Sequence, residues 1–343
     1  MKIAIITRPT MVGFNQGGFN KRMYHLANGL VERGHQVKLF AMKGSKTKAT
    51  LMDNIKFSPP LPRAITWEER LYFISEAIKQ SQDCDIINCQ TDHMATFFDA
   101  HSKVPIIHTL ITSSFYFSAV DLLKYYKNLD YSAVSKAAKS NYLGFLNFRG
   151  TVYNGCDVES FKFNDEPSDY FLSLSRIDRQ KANHRAIDAA KKAGVKLKIA
   201  GKILDEDYFE KEIKPRLDKN ITYLGEIKPE AFDEKVKLIQ NAKATLVFSA
   251  HDEGFSNTIL ESLSCGTPVI AWNQTSYKEI IKNDYNGYIV DSLAEAKKAI
   301  KKIEAIKRKN CRETVLKKYT YDHMVEGYEK LFKKIIKEKR KVN

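Results

Sequence analysis

Short apolar runs alternate along the chain with longer stretches in which apolar residues recur every three or four positions. The first two runs, Lys2–Thr7 and Val37–Ala41, flank a stretch of helical periodicity at Asn20–Arg33 that ends at Gly34. Strands that are apolar throughout are typical of parallel sheets whose two faces are covered by helices. The opening therefore predicts a β-α-β unit of a doubly wound α/β domain.

The same alternation continues along the chain, and 343 residues usually make about two domains. Further strands are predicted at Asp85–Cys89, Val104–Ile111, Leu129–Val134, Gly150–Tyr153, Tyr170–Leu174, Lys196–Gly201, Ile221–Leu224, Ala244–Ala250, Val269–Trp272 and Asn286–Val290. Further helices are predicted at Ile65–Ser81, His184–Ala193, Glu206–Leu217, Pro229–Gln240, Thr258–Cys265, Ala294–Lys309 and Tyr321–Lys339.

One stretch, Ala244–Trp272, combines a predicted strand, a polar loop and a helix that stops at Gly266. A loop between a strand and a helix start exposes unpaired backbone N–H groups and the positive end of the helix dipole, which together favour an anionic ligand. Two carboxylates, Glu253 and Glu261, stand across this loop. Both also have a purely structural interpretation: Thr258 and Glu261 have the spacing of a capping box, and Glu253 would then be a solvated loop acid.

Composition narrows the class of protein. The chain has 43% hydrophobic residues, enough for packed cores, and its net charge is +15, with 56 Lys and Arg against 41 Asp and Glu. A positive balance favours an anionic partner, and a nucleotide diphosphate and an anionic membrane surface fit it equally well. Nucleic acid is not expected, because the sequence has neither zinc-finger spacing nor an aromatic RNP motif.

The cysteines and the first residues indicate a cytoplasmic protein. The 5 cysteines include no C-x-x-C pair, and several fall in apparent core elements, so we expect reduced thiols. The sequence enters a strand at Lys2 without a signal peptide, and no apolar run approaches about 18 residues. We therefore expect a cytoplasmic protein that is soluble or at most peripheral at the inner membrane face.

The central stretch resembles the signature of the family 4 retaining glycosyltransferases. That signature has two glutamates with seven residues between them, the first inside an E-G-F tripeptide, followed by C-G-T-P-V-I; Glu253–Phe255, Glu261 and Cys265–Ile270 match it. The resemblance implies the glycosyltransferase B fold, in which two doubly wound, Rossmann-like parallel-sheet domains face each other across a cleft. It also implies that the C-terminal domain binds most of a nucleotide-sugar donor.

The resemblance also implies the domain boundaries. Tyr153–Asp157 is similar to the turn that ends the first domain in this family, and its Asn-Gly step suits a tight turn. We therefore expect an N-terminal, acceptor-side domain at 1–155 and a C-terminal nucleotide-sugar-binding domain at 156–320. Relatives return their last helix to the first domain, so 321–343 is expected there.

Donor-side residues acquire roles from the same resemblance. Arg176 and Lys181 match an R-x-x-x-x-K pattern and would hold the leaving diphosphate, arginine as a fork and lysine as a point charge. Glu253 would orient hydroxyls of the donor sugar and Glu261 would bind the ribose. Glu253, Arg176 and Lys181 are the expected catalytic residues. The other expected donor-binding residues are Gly17, Gly18, Gly225, Gly254, Phe255, Ser256 and Asn257.

The implied chemistry is front-side attack through an oxocarbenium-like transition state, with the donor phosphate as proton acceptor. The protein then contributes mainly positioning and charge stabilisation. No metal is expected: the histidines form no H-x-x-x-H or H-E-x-x-H set, and the D-x-D string at Asp83–Asp85 lacks partner acids. We expect no cofactor, a nucleotide-diphosphate sugar as co-substrate and a glycan or lipid-linked acceptor.

One position departs from the family pattern. Many relatives end the strand at Val104–Ile111 with a histidine that faces the sugar, and Ile111 stands in its place here. His108 lies on the opposite face by strand alternation and is expected to be a core histidine. The departure motivates an alternative, a catalytically weak sugar-nucleotide-binding subunit of a glycan-synthesis complex. A sugar-nucleotide epimerase on the same fold is a third possibility, against which the spacing of the two glutamates argues.

The last predicted helix, Tyr321–Lys339, is basic and interleaved with apolar residues. Such a helix can contact an anionic membrane. It can equally pack on a domain and leave its lysines in water, and the sequence leaves both interpretations open.

Overall fold

The computed structural model describes residues 1–13, 18–55, 65–111, 117–140, 144–251 and 253–339. The chain divides into two compact units. Unit 1 comprises Met1–Asn154 together with Tyr321–Asn343, and unit 2 comprises Gly155–Thr320.

Unit 1 is built on a seven-stranded parallel sheet of order β3-β2-β1-β4-β5-β6-β7. Its strands are β1 (Lys2–Ile6), β2 (Gln36–Phe40), β3 (Thr50–Met52), β4 (Ile86–Cys89), β5 (Ile106–Leu110), β6 (Asp130–Ala133) and β7 (Phe148–Thr151). Its helices are α1 (Gly18–Glu32), α2 (Trp67–Lys79), α3 (Phe117–Tyr125), α4 (Lys136–Ser140) and α11 (Tyr321–Lys339), with a 3-10 helix at Met94–His101. The edge strand β3 was not predicted, because three residues are too short to show a pattern.

Alternate residues of β1 enter different cores of unit 1. Ile3 and Ile5 of β1 pack with α1 and α11, whereas Ala4 and Ile6 face the core that contains α2. This period of two is the geometry of a strand covered on both faces. Helix α11 contributes six buried residues, Met324, Val325, Tyr328, Leu331, Phe332 and Ile335, to the first core. The prediction that the last helix returns to the first domain is therefore confirmed.

Unit 2 is built on a six-stranded parallel sheet of order β10-β9-β8-β11-β12-β13. Its strands are β8 (Phe171–Leu174), β9 (Leu197–Ala200), β10 (Ile221–Tyr223), β11 (Thr245–Val247), β12 (Val269–Trp272) and β13 (Gly287–Val290). Its helices are α5 (Asn183–Ala193), α6 (Glu206–Tyr208), α7 (Phe232–Gln240), α8 (Asn257–Ser264), α9 (Leu293–Lys302) and α10 (Arg308–Lys318). Both sheets share one Rossmann-like strand order, so the predicted α/β fold class is confirmed.

Two predicted helices differ from the structure. The helix predicted to Lys309 ends at Lys302, and a separate helix, α10, follows it. Helix α10 buries only Arg308, Cys311 and Val315, which is too sparse an apolar repeat to detect. The predicted helix at Glu206–Leu217 is α6 followed by π-helical and 3-10 turns, because Pro215 cannot donate an α-helical hydrogen bond. Within the described ranges, no helix is long and apolar enough to cross a membrane.

Candidate functional site

The predicted donor residues gather at the carboxyl edge of the unit 2 sheet. The strand order reverses between β8 and β11, and ligands of open α/β sheets bind at such points. The loop after β8 carries Arg176 and Lys181, and the loop after β11 carries Glu253 and leads into α8. The fold therefore brings the two cations and the first glutamate to one edge of one sheet.

Lys181 and Glu253 form an ion pair at this edge. The Lys181 ammonium donates to Glu253 Oε1, and the Ser249 hydroxyl donates to the same oxygen at 2.7 Å. The Lys181 and Glu253 side chains are only 18% and 12% exposed. Burial alone would raise the pKa of Glu253, but the Lys181 charge and the hydrogen bonds from Lys181 and Ser249 outweigh it, and the pKa is lowered. Glu253 is therefore an ionised, nearly buried carboxylate at neutral pH.

Arg176 is held more loosely than Lys181. Its side chain is 50% exposed, and its guanidinium lies 3.4 Å from the Asp178 carboxylate. Asp178 also accepts the backbone N–H of Lys181 at 2.8 Å and so shapes the loop. An exposed ion pair of this kind contributes little to stability, so Arg176 can exchange Asp178 for an anionic ligand at small cost.

Glu261 is paired with a lysine that sequence reasoning did not single out. Lys235 of α7 places its ammonium 2.8 Å from one carboxylate oxygen and 2.7 Å from the other. The capping-box interpretation of Glu261 is wrong: α8 begins at Asn257, one residue earlier than predicted, and Ser256 precedes it without a side-chain cap. Thr258 instead donates to the Leu174 carbonyl at 3.4 Å. Glu261 thus lies one turn inside the helix, engaged by a side chain.

Lys181 and Glu253 line a small cavity of about 20 Å³. Asn183, which is 2% exposed, lines it together with Ser256 and Thr258. Asn183 Nδ2 donates to Ser175 Oγ at 2.9 Å, whereas Asn183 Oδ1 has no partner within the described ranges. A polar cavity of this size can hold about one water molecule. Asn183 and Ser249 are further site residues that the motif does not mark.

The glycines and the α8 loop complete the donor side. The backbone at Gly201 approaches the β8 loop so closely that a Cβ would lie 1.8 Å from the Ser175 carbonyl. Gly225 follows β10 with φ +86° and accepts the Gly201 N–H at 2.9 Å. Gly254, Phe255 and Ser256 lead into the first turn of α8, which starts at Asn257. Their predicted ligand contacts stay predictions.

In unit 1, Gly18 is the first residue of α1, and Gly17 lies outside the described residues. The Ile111 N–H donates to Asp92 Oδ1 at 2.7 Å. His108 is fully buried, and its Nε2 lies 2.9 Å from Asp99 Oδ2. The prediction of a core histidine is therefore confirmed.

The D-x-D string has a structural role in unit 1. Asp83 forms ion pairs with Lys2 at 2.5 Å and Lys38 at 2.7 Å, and Asp85 accepts the Lys2 N–H at 2.8 Å. Across the residues that the structure describes, no group of three or more His, Cys, Asp or Glu side chains could hold a metal ion. Metal independence stays a prediction.

Two units with one Rossmann-like strand order, the second with a charged carboxyl edge, have the architecture of the glycosyltransferase B class. The family model for group 1 glycosyl transferases matches residues 158–323, and that for glycosyltransferase family 4 matches residues 16–160. The chain therefore belongs to the family 4 glycosyltransferases.

Known proteins are similar to the chain at low identity. An uncharacterized glycosyltransferase of Methanocaldococcus jannaschii is 25% identical over 191 residues, 54% of this chain and 53% of that protein. The chain thus spans about half the length of this curated relative.

Two solved structures share the fold over nearly the whole chain. Sucrose-phosphate synthase from Thermosynechococcus elongatus has a TM-score of 0.78 at 18% identity, covering 98% of this chain and 99% of that one. Anabaena HepE in complex with UDP and glucose has a TM-score of 0.73 at 16% identity, covering 96% and 98%.

Proposed function

We propose that the chain is a retaining glycosyltransferase that moves a sugar from a nucleotide-diphosphate sugar to a glycan or glycolipid acceptor without a metal ion. The observation that carries the proposal is the convergence of Arg176, Lys181 and Glu253 at the point of strand reversal in unit 2, with Glu261 in the adjoining helix. Two cations beside a helix start suit a diphosphate leaving group.

Each charged group then has one task. Arg176 and Lys181 neutralise the charge that develops on the leaving diphosphate, and Glu253 orients sugar hydroxyls. The acceptor attacks from the face that the diphosphate leaves, and a phosphate oxygen takes the acceptor proton. The side chains supply position and electrostatic stabilisation, which are the largest contributions available to such a reaction.

A uridine nucleotide is the first donor to test, because HepE, which shares the fold, binds UDP and glucose in its crystal structure. We place the reaction at the cytoplasmic side, with the acceptor in solution or at the membrane surface. The apolar face of α11 is buried in unit 1, so any contact with an anionic membrane would use its lysine face. Nucleic acid is not among the proposed partners.

A second candidate function rests on Ile111, which stands where many relatives have a histidine. A sugar-nucleotide-binding subunit would bind the donor but leave it intact. Slow donor hydrolysis without acceptor separates the two functions, since a transferase cleaves its donor slowly and a binding subunit does not.

The proposal is tested by thermal shift against UDP-, GDP- and ADP-sugars, because a ligand of the native state raises the melting temperature. We expect one nucleotide class to raise it by several degrees in the unaltered chain. Glu261→Ala should abolish that shift, and Glu230→Ala, at an exposed position of the same unit, should keep it. No shift with any donor would overturn the proposal.

A further inference from the structure

Lys235 holds both oxygens of the Glu261 carboxylate. Its ammonium lies 2.8 Å from Oε1 and 2.7 Å from Oε2, and the two side chains are 27% and 13% exposed. The lysine is fixed from its own side as well: its ammonium lies 5.7 Å from the centroid of the Phe161 ring, and that ring packs edge-on against Phe232 at 5.4 Å. Packing within unit 2 therefore holds the Lys235–Glu261 pair in place.

We propose that Lys235 is a positioning residue for ribose recognition; the inference rests on the proposed function, in which Glu261 binds the ribose. A carboxylate has about four positions at which it can accept a hydrogen bond. A lysine that bridges the two oxygens uses one position on each and leaves one on each free. The free positions suit two neighbouring hydroxyls, which is what the 2′- and 3′-hydroxyls of a ribose present.

The lysine also balances charge. A diphosphate brings negative charge to an edge that already carries Glu253 and Glu261, and Lys181 is engaged by Glu253. The Lys235 ammonium offsets the Glu261 charge, so that an ionised acceptor of hydroxyl hydrogen bonds can stand near an anionic ligand. Without Lys235 the terminal torsion of Glu261, which is intrinsically broad, would lose its fixed orientation.

The opposing interpretation is that Lys235 only joins α7 to α8. Such a structural link would affect the melting temperature but not the preference for a ribose over a deoxyribose. The ratio of the affinities for the ribose and the 2′-deoxyribose nucleotide therefore distinguishes the two roles.

The experiment is calorimetric titration of the full chain with UDP, GDP and ADP and with their 2′-deoxy counterparts. For the nucleotide class that binds, we expect the unaltered chain to prefer the ribose form by about tenfold or more, as for a hydrogen bond to a charged acceptor. In Lys235→Met that ratio should fall below about threefold, mainly through weaker binding of the ribose form. Lys235→Arg should keep most of the ratio. Lys237→Met, on an exposed position of the same helix, should match the unaltered chain.

A ribose preference that survives in Lys235→Met, with only a lower melting temperature, would overturn this inference and leave the proposed function standing. If that variant does not fold, Lys235→Gln takes its place, and an undiminished ratio there has the same meaning. Failure of the unaltered chain to bind any of the nucleotides would overturn the proposed function, and this inference with it.

Discussion

The two sheets share one strand order, yet the side chains at their carboxyl edges differ in burial and in the charge of their partners. In unit 1, Arg22 is 2% exposed and donates to the neutral oxygens of Asn154 and Gln90, at 2.8 Å each. In unit 2, Lys181 and Arg176 at the corresponding edge face carboxylates, and the Arg176 side chain is half exposed. In the part of the unit 1 edge that the structure describes, a charged side chain is buried in a polar network, whereas the unit 2 edge carries a half-exposed guanidinium that a ligand can reach.

The polar core of unit 1 is interlocked. Gln90 Nε2 lies 3.1 Å from each of Asn88 Oδ1, Thr109 Oγ1 and the Tyr328 hydroxyl, so α11 is tied to β4 and β5. Burial lowers the pKa of Arg22, as expected where the charged form is desolvated. The same edge also carries an ion pair between Arg8, whose side chain is 41% exposed, and the buried Asp92 at 2.6 Å; Asp92 also accepts the Ile111 N–H.

The difference shows that topology offers a binding position but side chains decide whether it is used. Buried polar networks fix a fold, because breaking one member leaves the others unsatisfied. Ion pairs near solvent can be exchanged for a charged ligand at modest cost. The second arrangement suits a diphosphate, and this supports unit 2 as the donor side of the proposed function.

The largest expected effect is on donor cleavage, through Lys181 at the carboxyl edge of the unit 2 sheet. Lys181→Met should lower donor cleavage by about 10²- to 10³-fold, the usual cost of removing one preorganised group that stabilises developing charge. Turnover of the sugar nucleotide that binds is the measurement. Lys192→Met, at an exposed position of α5, is the matched control and should leave turnover unchanged. Equal turnover in both variants would remove Lys181 from the reaction.

The second-largest expected effect is on the buried polar network around Arg22 in unit 1. Arg22→Met should lower the free energy of unfolding by about 2–4 kcal/mol, because Asn154 and Gln90 lose a charged donor in a buried site. Denaturant unfolding measures this. Arg33→Met, directly after the same helix, removes more exposed ion pairs with Asp322 and Glu329 and should cost less than about 1 kcal/mol. If Arg22→Met is no more destabilising than this control, the network is not a structural core.

The fold could be predicted from the sequence more fully than the site. Strands such as Val269–Trp272 are apolar throughout and bounded by Pro268 and polar residues, so local pattern marks their ends. The sequence does not predict helix α10, because only two of its buried positions, Cys311 and Val315, are apolar and the third is Arg308. Arg308 is buried by donating to backbone carbonyls of Asn164, Gln240 and Ala242, contacts that no local pattern encodes.

The motif marked Arg176, Lys181, Glu253 and Glu261 but not what holds them. Lys235 lies 26 positions before its partner Glu261, and in a chain with 56 Lys and Arg one more lysine carries no signal. The sequence predicts the start of α8 one residue late, at Thr258, and the Thr258–Glu261 spacing then suggests a capping box. In the structure α8 starts at Asn257 and Glu261 pairs with Lys235 instead. Partners brought together by tertiary packing are what the sequence pattern leaves undetermined.

The smallest expected effect separates the two glutamates from each other. Glu253 forms an ion pair with Lys181, so a diphosphate must compete with a carboxylate for that ammonium. Glu253→Gln removes the competing charge, and we expect the nucleoside diphosphate that binds to do so about three- to tenfold more tightly, or about 1 kcal/mol, although turnover of the sugar nucleotide falls. Glu261→Gln should instead weaken the same binding, because its carboxylate is proposed to accept ribose hydroxyls. Calorimetric titration of both variants measures the contrast. Weaker binding in Glu253→Gln would mean that the Lys181–Glu253 pair forms part of the anion site, and the exchange of Glu253 for diphosphate at Lys181 would have to be abandoned.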